Sequence, residues 1–163
     1  MAKNIFLVPV TLPEFKRSVY NKIDLSRLPI EEDTLSNVES PDGTRVWGVK
    51  NSQLNKKFYD KMTSGDHLLF YSDDKYRYYG TVGSKFSSNS VSREYWGDIT
   101  ADLLYTVERF TEIELSREKL NEACGYKLAY QPQSIRRISS SASWELRKEH
   151  GKVEDFINSV RRA

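Results

Sequence analysis

The spacing of apolar and polar positions is most informative between Arg45 and Phe86. Arg45–Lys50 (RVWGVK) has the β-branched and aromatic content of a short strand. Asn51 or Ser52 then offers a side-chain oxygen to the open N–H groups of a helix start. Within that helix Leu54, Phe58 and Met62 recur every four residues, which predicts one buried face. Lys56, Lys57, Asp60 and Lys61 fall on the other side, and Gly65 supplies the stop. An apolar run His67–Tyr71, turn residues Ser72–Lys75 and a return run Tyr76–Phe86 predict a hairpin. Gly80 and Gly83 in the return strand predict a bulge or bend that curls the sheet.

The flanks read more plainly. Ile5–Val10 predicts a first strand and Pro13–Tyr20 a helical turn, with proline at its start. Residues 21–44 read mostly as loop, acidic at Glu31-Glu32-Asp33 and turn-forming at Ser40-Pro41-Asp42-Gly43. Ser87–Ser92 reads as polar loop or helix cap before Arg93–Gly97, and Leu103–Leu115 alternates as a long strand. Ser116–Ala123 predicts a short capped helix ended by Gly125. Tyr126–Ile138 is irregular with strand-like IRRI at its close, and Ser139–Ser143 forms a serine-rich joint. Trp144–Val160 ends amphipathic, with Val153, Phe156, Ile157 and Val160 on one face and Trp144 as its anchor. Strands outnumber helices, so the pattern predicts an α+β domain, a small mixed β-barrel flanked by helices. At 163 residues it reads as a single domain, 1–163, whose last helix leads towards a further domain.

Composition narrows the chemistry. A net charge of +2 does not advertise a polyanion partner by itself. Its distribution adds more, because Arg45–Lys61 holds five basic residues against one acidic one. Asn51, Ser52 and Asn55 gather hydrogen-bonding groups where a strand hands over to a helix, a setting that suits a flat, polar, anionic ligand such as a nucleotide. One cysteine excludes an internal disulfide framework, and two histidines beside it make no familiar zinc spacing, so neither metal nor cofactor is expected. Six apolar residues, IFLVPV, fall short of a signal peptide or a membrane span, which reads as a soluble cytoplasmic protein without membrane contact.

The ordered series Val46–Ser52 (VWGVKNS), Met62–Tyr71 (MTSGDHLLFY) and Gly80-Thr81-Val82 resembles the EVE and YTH domains of the PUA-like superfamily. Gln131–Arg136 (QPQSIR) resembles their late strand segment, so the likeness covers about residues 45–138. The form with WG before the lysine looks most like the N-terminal DNA-recognition domain of McrB-type restriction proteins. The resemblance implies a PUA-like, EVE/YTH-type barrel that takes a flipped, modified base into an aromatic pocket and catalyses nothing. Carried over by position, Lys50, Asn51 and Ser52 would contact the base edge and backbone, with Asn55 one turn on. Trp96 matches a YTH cage tryptophan, whereas the second cage position after the lysine offers Phe58 and Tyr59, so Trp47 or Tyr71 would serve instead. Lys56, Lys57, Lys61, Arg93 and Arg136 would attract phosphates. The implied ligand is methylated double-stranded DNA, N6-methyladenine first, with RNA as the alternative polymer. A GTPase motor in the same full-length chain and a nuclease partner subunit would follow from the McrB likeness. The sequence itself contains no GxxxxGK[ST].

Competing readings weigh against several of these residues. Trp47 and Phe58 suit a core; Tyr76, Tyr78 and Tyr79 suit a sheet surface; and the lysines of the helix suit a solvated face. Pro41-Asp42 with Asp73-Asp74-Lys75 matches the bare PD…(D/E)xK nuclease pattern, but both pieces lie in predicted turns rather than on rigid strands. A protein-binding adaptor is the remaining class. Steep salt dependence of nucleic-acid binding separates it from a reader.

Overall fold

The computed structural model describes residues 3–162. In chain order its elements are β1 (Ile5–Pro9), α1 (Leu12–Phe15), α2 (Glu32–Val38), β2 (Val46–Val49), α3 (Gln53–Lys61), β3 (His67–Ser72) and β4 (Lys75–Ser87). They continue as α4 (Asn89–Trp96), β5 (Leu103–Ser116), α5 (Arg117–Cys124), β6 (Arg136–Arg137), α6 (Ser140–His150) and α7 (Val153–Val160). This is the expected α+β class with a mixed sheet. Two compact units form, and the long strands β4 and β5 contribute residues to each.

The first unit comprises residues 3–9, 66–80 and 109–162. Its strand β1 runs parallel to β3, from Ile5 opposite His67 to Pro9 opposite Tyr71. On its other side β1 pairs antiparallel with β6, Phe6 facing Arg137 and Leu7 facing Arg136. The β3–β4 hairpin turns on Asp73 and Asp74, both at positive φ (52° and 67°). Two successive left-handed residues match the right-handed twist of the flanking strands, and aspartate tolerates that backbone better than most side chains. Those carboxylates are therefore turn formers, and Asp74 pairs with Arg117 at 3.3 Å. The core gathers Ile5, Leu7, Leu69, Tyr76, Leu115, Leu120, Leu146 and Phe156.

The tyrosines depart from expectation: Tyr76, Tyr78 and Tyr79 are buried rather than lying on a sheet surface. The C-terminal segment is two helices rather than one, parted at Gly151, whose φ of +77° an L side chain rarely adopts. Trp144 does not anchor it, being 59% exposed. The helix buries Ala142 and Leu146, and a residue two places from each stands about half a turn away.

The second unit comprises residues 10–65 and 81–108. Here β2 pairs antiparallel with β5, from Val46 opposite Thr106 to Val49 opposite Leu103. Leu12–Phe15 continues into a wider π turn over Lys16–Tyr20, whose carbonyls at Val19 and Tyr20 accept from Arg45 Nη1 at 2.6 and 2.8 Å. Residues 21–44 hold more structure than the predicted loop, since Glu32–Val38 is helical. Ser87–Ser92 resolves into a strand end and the start of α4, whose cap Ser88 accepts from Val91 N. Gly83 lies within continuous strand, and its missing side chain admits a neighbour. A Cβ there would stand 2.2 Å from Thr106 Oγ1, an atom that accepts from Ser84 N at 2.8 Å. Phe15, Val19, Val46, Met62, Val91 and Leu104 fill the core.

Candidate nucleic-acid interface

The candidate interface lies in the second unit, where β2 passes into α3. Ser52 caps that helix, its hydroxyl accepting from Asn55 N at 3.2 Å. Asn55 Nδ2 reaches back to donate to Lys50 O at 3.2 Å, so the cap and the turn before it brace each other. Asn51 N donates to Thr100 O at 2.8 Å, tying the turn to the loop after α4. That loop is set by Asp98, whose Oδ1 accepts from Thr100 N at 2.9 Å and from its hydroxyl at 2.6 Å. The hydroxyl bond chiefly, then the N–H bond, holds the Asp98 carboxyl below its usual range, with Lys50 adding to both. Lys50 Nζ stands 3.7 Å from Asp98 Oδ2. The result is a rigid double loop that presents Asn51 and Ser52 to solvent. The Asp98-x-Thr100 spacing is itself an Asx-turn signal in the sequence.

Helix α3 buries a different stripe from the expected one. Tyr59 and Met62 face inward, Phe58 is half-buried and Leu54 is 47% exposed. The cause is the Tyr59 hydroxyl, which donates to Leu104 O at 2.6 Å and Phe86 O at 3.1 Å and so secures the helix to β4 and β5. Burial pushes that hydroxyl's pKa up strongly. A tyrosine whose hydroxyl is satisfied can bury its whole ring, and it turns the helix one position from the simple four-residue period. Leu54 and Ile99, the latter 50% exposed, are left as apolar tips on the two braced segments.

The two tryptophans, on the strand and the helix that lead into this double loop, pack together. Trp47 and Trp96 pack edge to face, with centroids 5.4 Å apart and planes at 68°. Phe15 meets Trp47 at the same distance and nearly the same angle. Trp96 Nε1 donates to the buried Ser18 hydroxyl at 3.2 Å. A Cβ on Gly48 would lie 2.9 Å from Trp96 Cζ3, so this glycine makes room for the indole. Trp96, which the resemblance assigns to a base cage, is buried like Trp47. Its polar neighbours in sequence belong to the helix end, while the ring itself turns inward.

The other proposed contacts separate. Tyr71 lies in the first unit, where its hydroxyl donates to Gln131 Oε1 at 3.0 Å and Asp74 Oδ1 at 3.3 Å. Arg136 is also there, half-buried, with its guanidinium bonded to Ile135 O and Ser134 Oγ. Lys56 pairs with Asp60 at 3.2 Å, whereas Lys57, Lys61 and Arg93 project from exposed positions of α3 and α4. Asp42, half of the nuclease pattern, belongs to the second unit and Asp73-Asp74 to the first. Among the described residues no cluster of three metal-ligating side chains forms, and no helix is long and apolar enough to cross a membrane.

No protein-family model and no curated protein matches the chain. Solved structures do. The N-terminal domain of Thermococcus gammatolerans McrB, bound to m5C DNA, superposes with a TM-score of 0.68 at 18% identity, covering 90% of this chain and 96% of that one. The Pho92 YTH domain, in complex with m6A, gives 0.55 at 14% identity over 93% of this chain and 85% of its own. The YTH domain of Zygosaccharomyces rouxii MRB1, in complex with N6-methyladenosine RNA, gives 0.56 at 15% identity over 91% and 87%. The chain thus has the fold shared by the McrB N-terminal domain and the YTH domains, as the order of its motifs implied.

Proposed function

We propose that this chain is a non-catalytic reader of a methylated base, taken up out of the helical stack of nucleic acid. The observation that carries the reading is the packed Trp47–Trp96 pair on the two segments that lead into an exposed, braced polar turn. Flipping a base costs a few kcal/mol, which stacking on aromatics and hydrogen bonds to the base edge must offset. Two indoles provide the stacking surface. Because they meet edge to face, the base enters only as Trp96 swings away from Trp47, giving up its bond to Ser18. Asn51, with the Ser52 hydroxyl beside it, meets the base edge, since an amide side chain offers one acceptor and two donors. Asn55 positions that turn through Lys50 O. Lys57, Lys61 and Arg93 attract phosphates, with Lys56 and Lys50 held partly in reserve by Asp60 and Asp98.

Duplex DNA is the favoured polymer and methylated cytosine the favoured base, supported by the higher likeness to the m5C-bound McrB domain. The reading extends to a specificity domain of a McrB-type restriction system, working with a GTPase motor and a nuclease subunit. The YTH likenesses support a second ligand, N6-methyladenine in RNA. Equilibrium binding of the chain to matched duplexes carrying cytosine, 5-methylcytosine, 5-hydroxymethylcytosine and N6-methyladenine, with an N6-methyladenosine RNA beside them, decides among these. One modified site should bind at least about tenfold more tightly than its plain counterpart. Affinities equal within twofold across the set would end the reader proposal.

A further inference from the structure

The first unit carries a cationic cleft beside an exposed indole, and neither has a role in the base pocket. The cleft, of about 150 Å³, is lined by Lys3, Arg137 and Arg147 with Ser140 and Ser143 of α6, and no acidic residue among the described ones lines it. Arg147 is held in place there, its Nη2 donating to Lys3 O at 3.0 Å. Trp144 follows Ser143 on the same helix and is 59% exposed, whereas Trp47 and Trp96 are buried. Lys148 Nζ sits over its ring, 5.0 Å from the centroid. With 3.6 residues per turn, Ser140, Trp144, Arg147 and Lys148 share one side of α6, and Glu145 and Glu149 fall towards the opposite side. One face of the helix therefore combines two cations with a large aromatic surface.

From this juxtaposition we infer that α6 and β6 form a second nucleic-acid contact, which holds an unpaired nucleotide with its phosphate in the cleft and its base on Trp144. A cleft of that size has room for about five waters, which suits a phosphate and leaves no place for a base. The base then lies outside, and residues one helical turn apart stand about 5–6 Å from each other, close to the reach from a phosphate to its own base. Cations tracking the backbone beside an aromatic platform are the physical basis of sequence-tolerant single-strand binding. A paired base stacked within a duplex cannot offer its face to Trp144, so the contact selects an unpaired strand. It would grip a strand displaced from its partner, or a single-stranded end. This contact goes beyond the base-reading proposal and does not need it.

The test uses the whole chain and an unmodified, labelled thymidine decanucleotide, a sugar–phosphate decamer of the same length without bases, and a plain duplex. Trp144→Ala should weaken decanucleotide binding about five- to hundredfold, Trp144→Phe should keep most of it, and neither should change binding of the baseless decamer. Arg137→Ala should weaken both single-stranded probes. Equal affinity of the parent chain for the decanucleotide and the baseless decamer would reduce the site to phosphate capture and overturn the inference. So would unchanged decanucleotide binding by Trp144→Ala, or self-association of the parent that Trp144→Ala abolishes. The ratio of modified to plain duplex affinity should be the same in Trp144→Ala and the parent, so either proposal can fail without the other.

Discussion

Tryptophan sits in opposite ways in the two units. In the second, Trp47 and Trp96 pack on each other and on Phe15, and the Trp96 N–H is satisfied by Ser18. In the first, Trp144 stands in solvent under the ammonium of Lys148. Local sequence suggests the reverse, because Trp96 follows Arg-Glu-Tyr in a polar segment and Trp144 opens an amphipathic stretch. Helical phase and a neighbouring glycine decide the matter instead. Gly48 leaves room for the Trp96 ring, while α6 turns Trp144 about half a turn away from the side chains it buries. Burial makes the first pair costly to disturb and available only when the rings part. Exposure makes Trp144 cheap to remove and open to a ligand at once.

The sharpest break of this contrast is thermodynamic. Trp96→Ala should lose about 3–5 kcal/mol of unfolding free energy, because it leaves a cavity beside Trp47 and strands the Ser18 hydroxyl. Trp144→Ala should change stability by no more than about 0.5 kcal/mol. Urea titration followed by far-ultraviolet circular dichroism measures both, and equal costs would show that the two sites do not differ as described. Trp96→Phe, which keeps an aromatic ring, is the variant to carry into base-binding assays.

A smaller effect separates the buried tyrosines. Tyr59→Phe removes a donor shared by two buried carbonyls and should cost about 1–3 kcal/mol. Among the described residues the buried Tyr105 hydroxyl has no hydrogen-bond partner, and burial drives its pKa far upward. Tyr105→Phe removes a desolvated group and should be neutral, or stabilising by about 1 kcal/mol. If Tyr105→Phe proves the more damaging of the two, its hydroxyl has a partner that the bond pattern does not reveal.

Much of this molecule could be read from its sequence, and the misreadings share one cause. The strands around Arg45–Phe86, the Ser52 cap, the Asp73-Asp74 turn and the capped helix after Ser116 are all fixed by neighbours within four residues, and local pattern finds such features. Ordered motifs pointed to the fold where no single one was specific. Pattern failed where a distant partner set the outcome. Tyr59 claims the buried side of α3 through Phe86 and Leu104, which are 27 and 45 residues away. Trp96 is drawn inward by Ser18, 78 residues earlier. Tyr71 joins the network of Asp74 and Gln131, the Gln131 contact spanning 60 residues. No periodicity encodes such contacts.

The first unit also buries a titratable group, and its sign is fixed. His67 shares a 2.7 Å hydrogen bond with the Tyr79 hydroxyl, and burial lowers its pKa below 6.5, against the opposing pull of Glu154. The unfolded chain therefore takes up a proton that the folded chain refuses. Stability should fall as pH drops from about 6.5 towards the folded pKa and change no further through this group below that. Replacing His67 with Asn should flatten that slope. A slope of opposite sign, or one that survives the substitution, would place the sensitivity elsewhere.

The finest test concerns charges that both readings of α3 share, a phosphate-attracting face and a merely soluble one. Each phosphate contact contributes about 0.9 to the slope of log affinity against log salt for duplex DNA. Lys57 and Lys61 project from exposed positions, so Lys57→Ala and Lys61→Ala should each flatten the slope by nearly that amount. Lys56 differs, since its ammonium lies 3.2 and 3.3 Å from the two oxygens of Asp60. That partner already offsets part of its charge, so Lys56→Ala should flatten the slope by less. Losing an exposed i, i+4 pair costs only a few tenths of a kcal/mol, so all three variants should unfold near the parent's midpoint. Affinities for modified and plain duplexes should fall together, because a phosphate carries no base identity. A slope untouched by all three substitutions would assign this face to solubility and move the search for backbone contacts to Arg93 and Lys50.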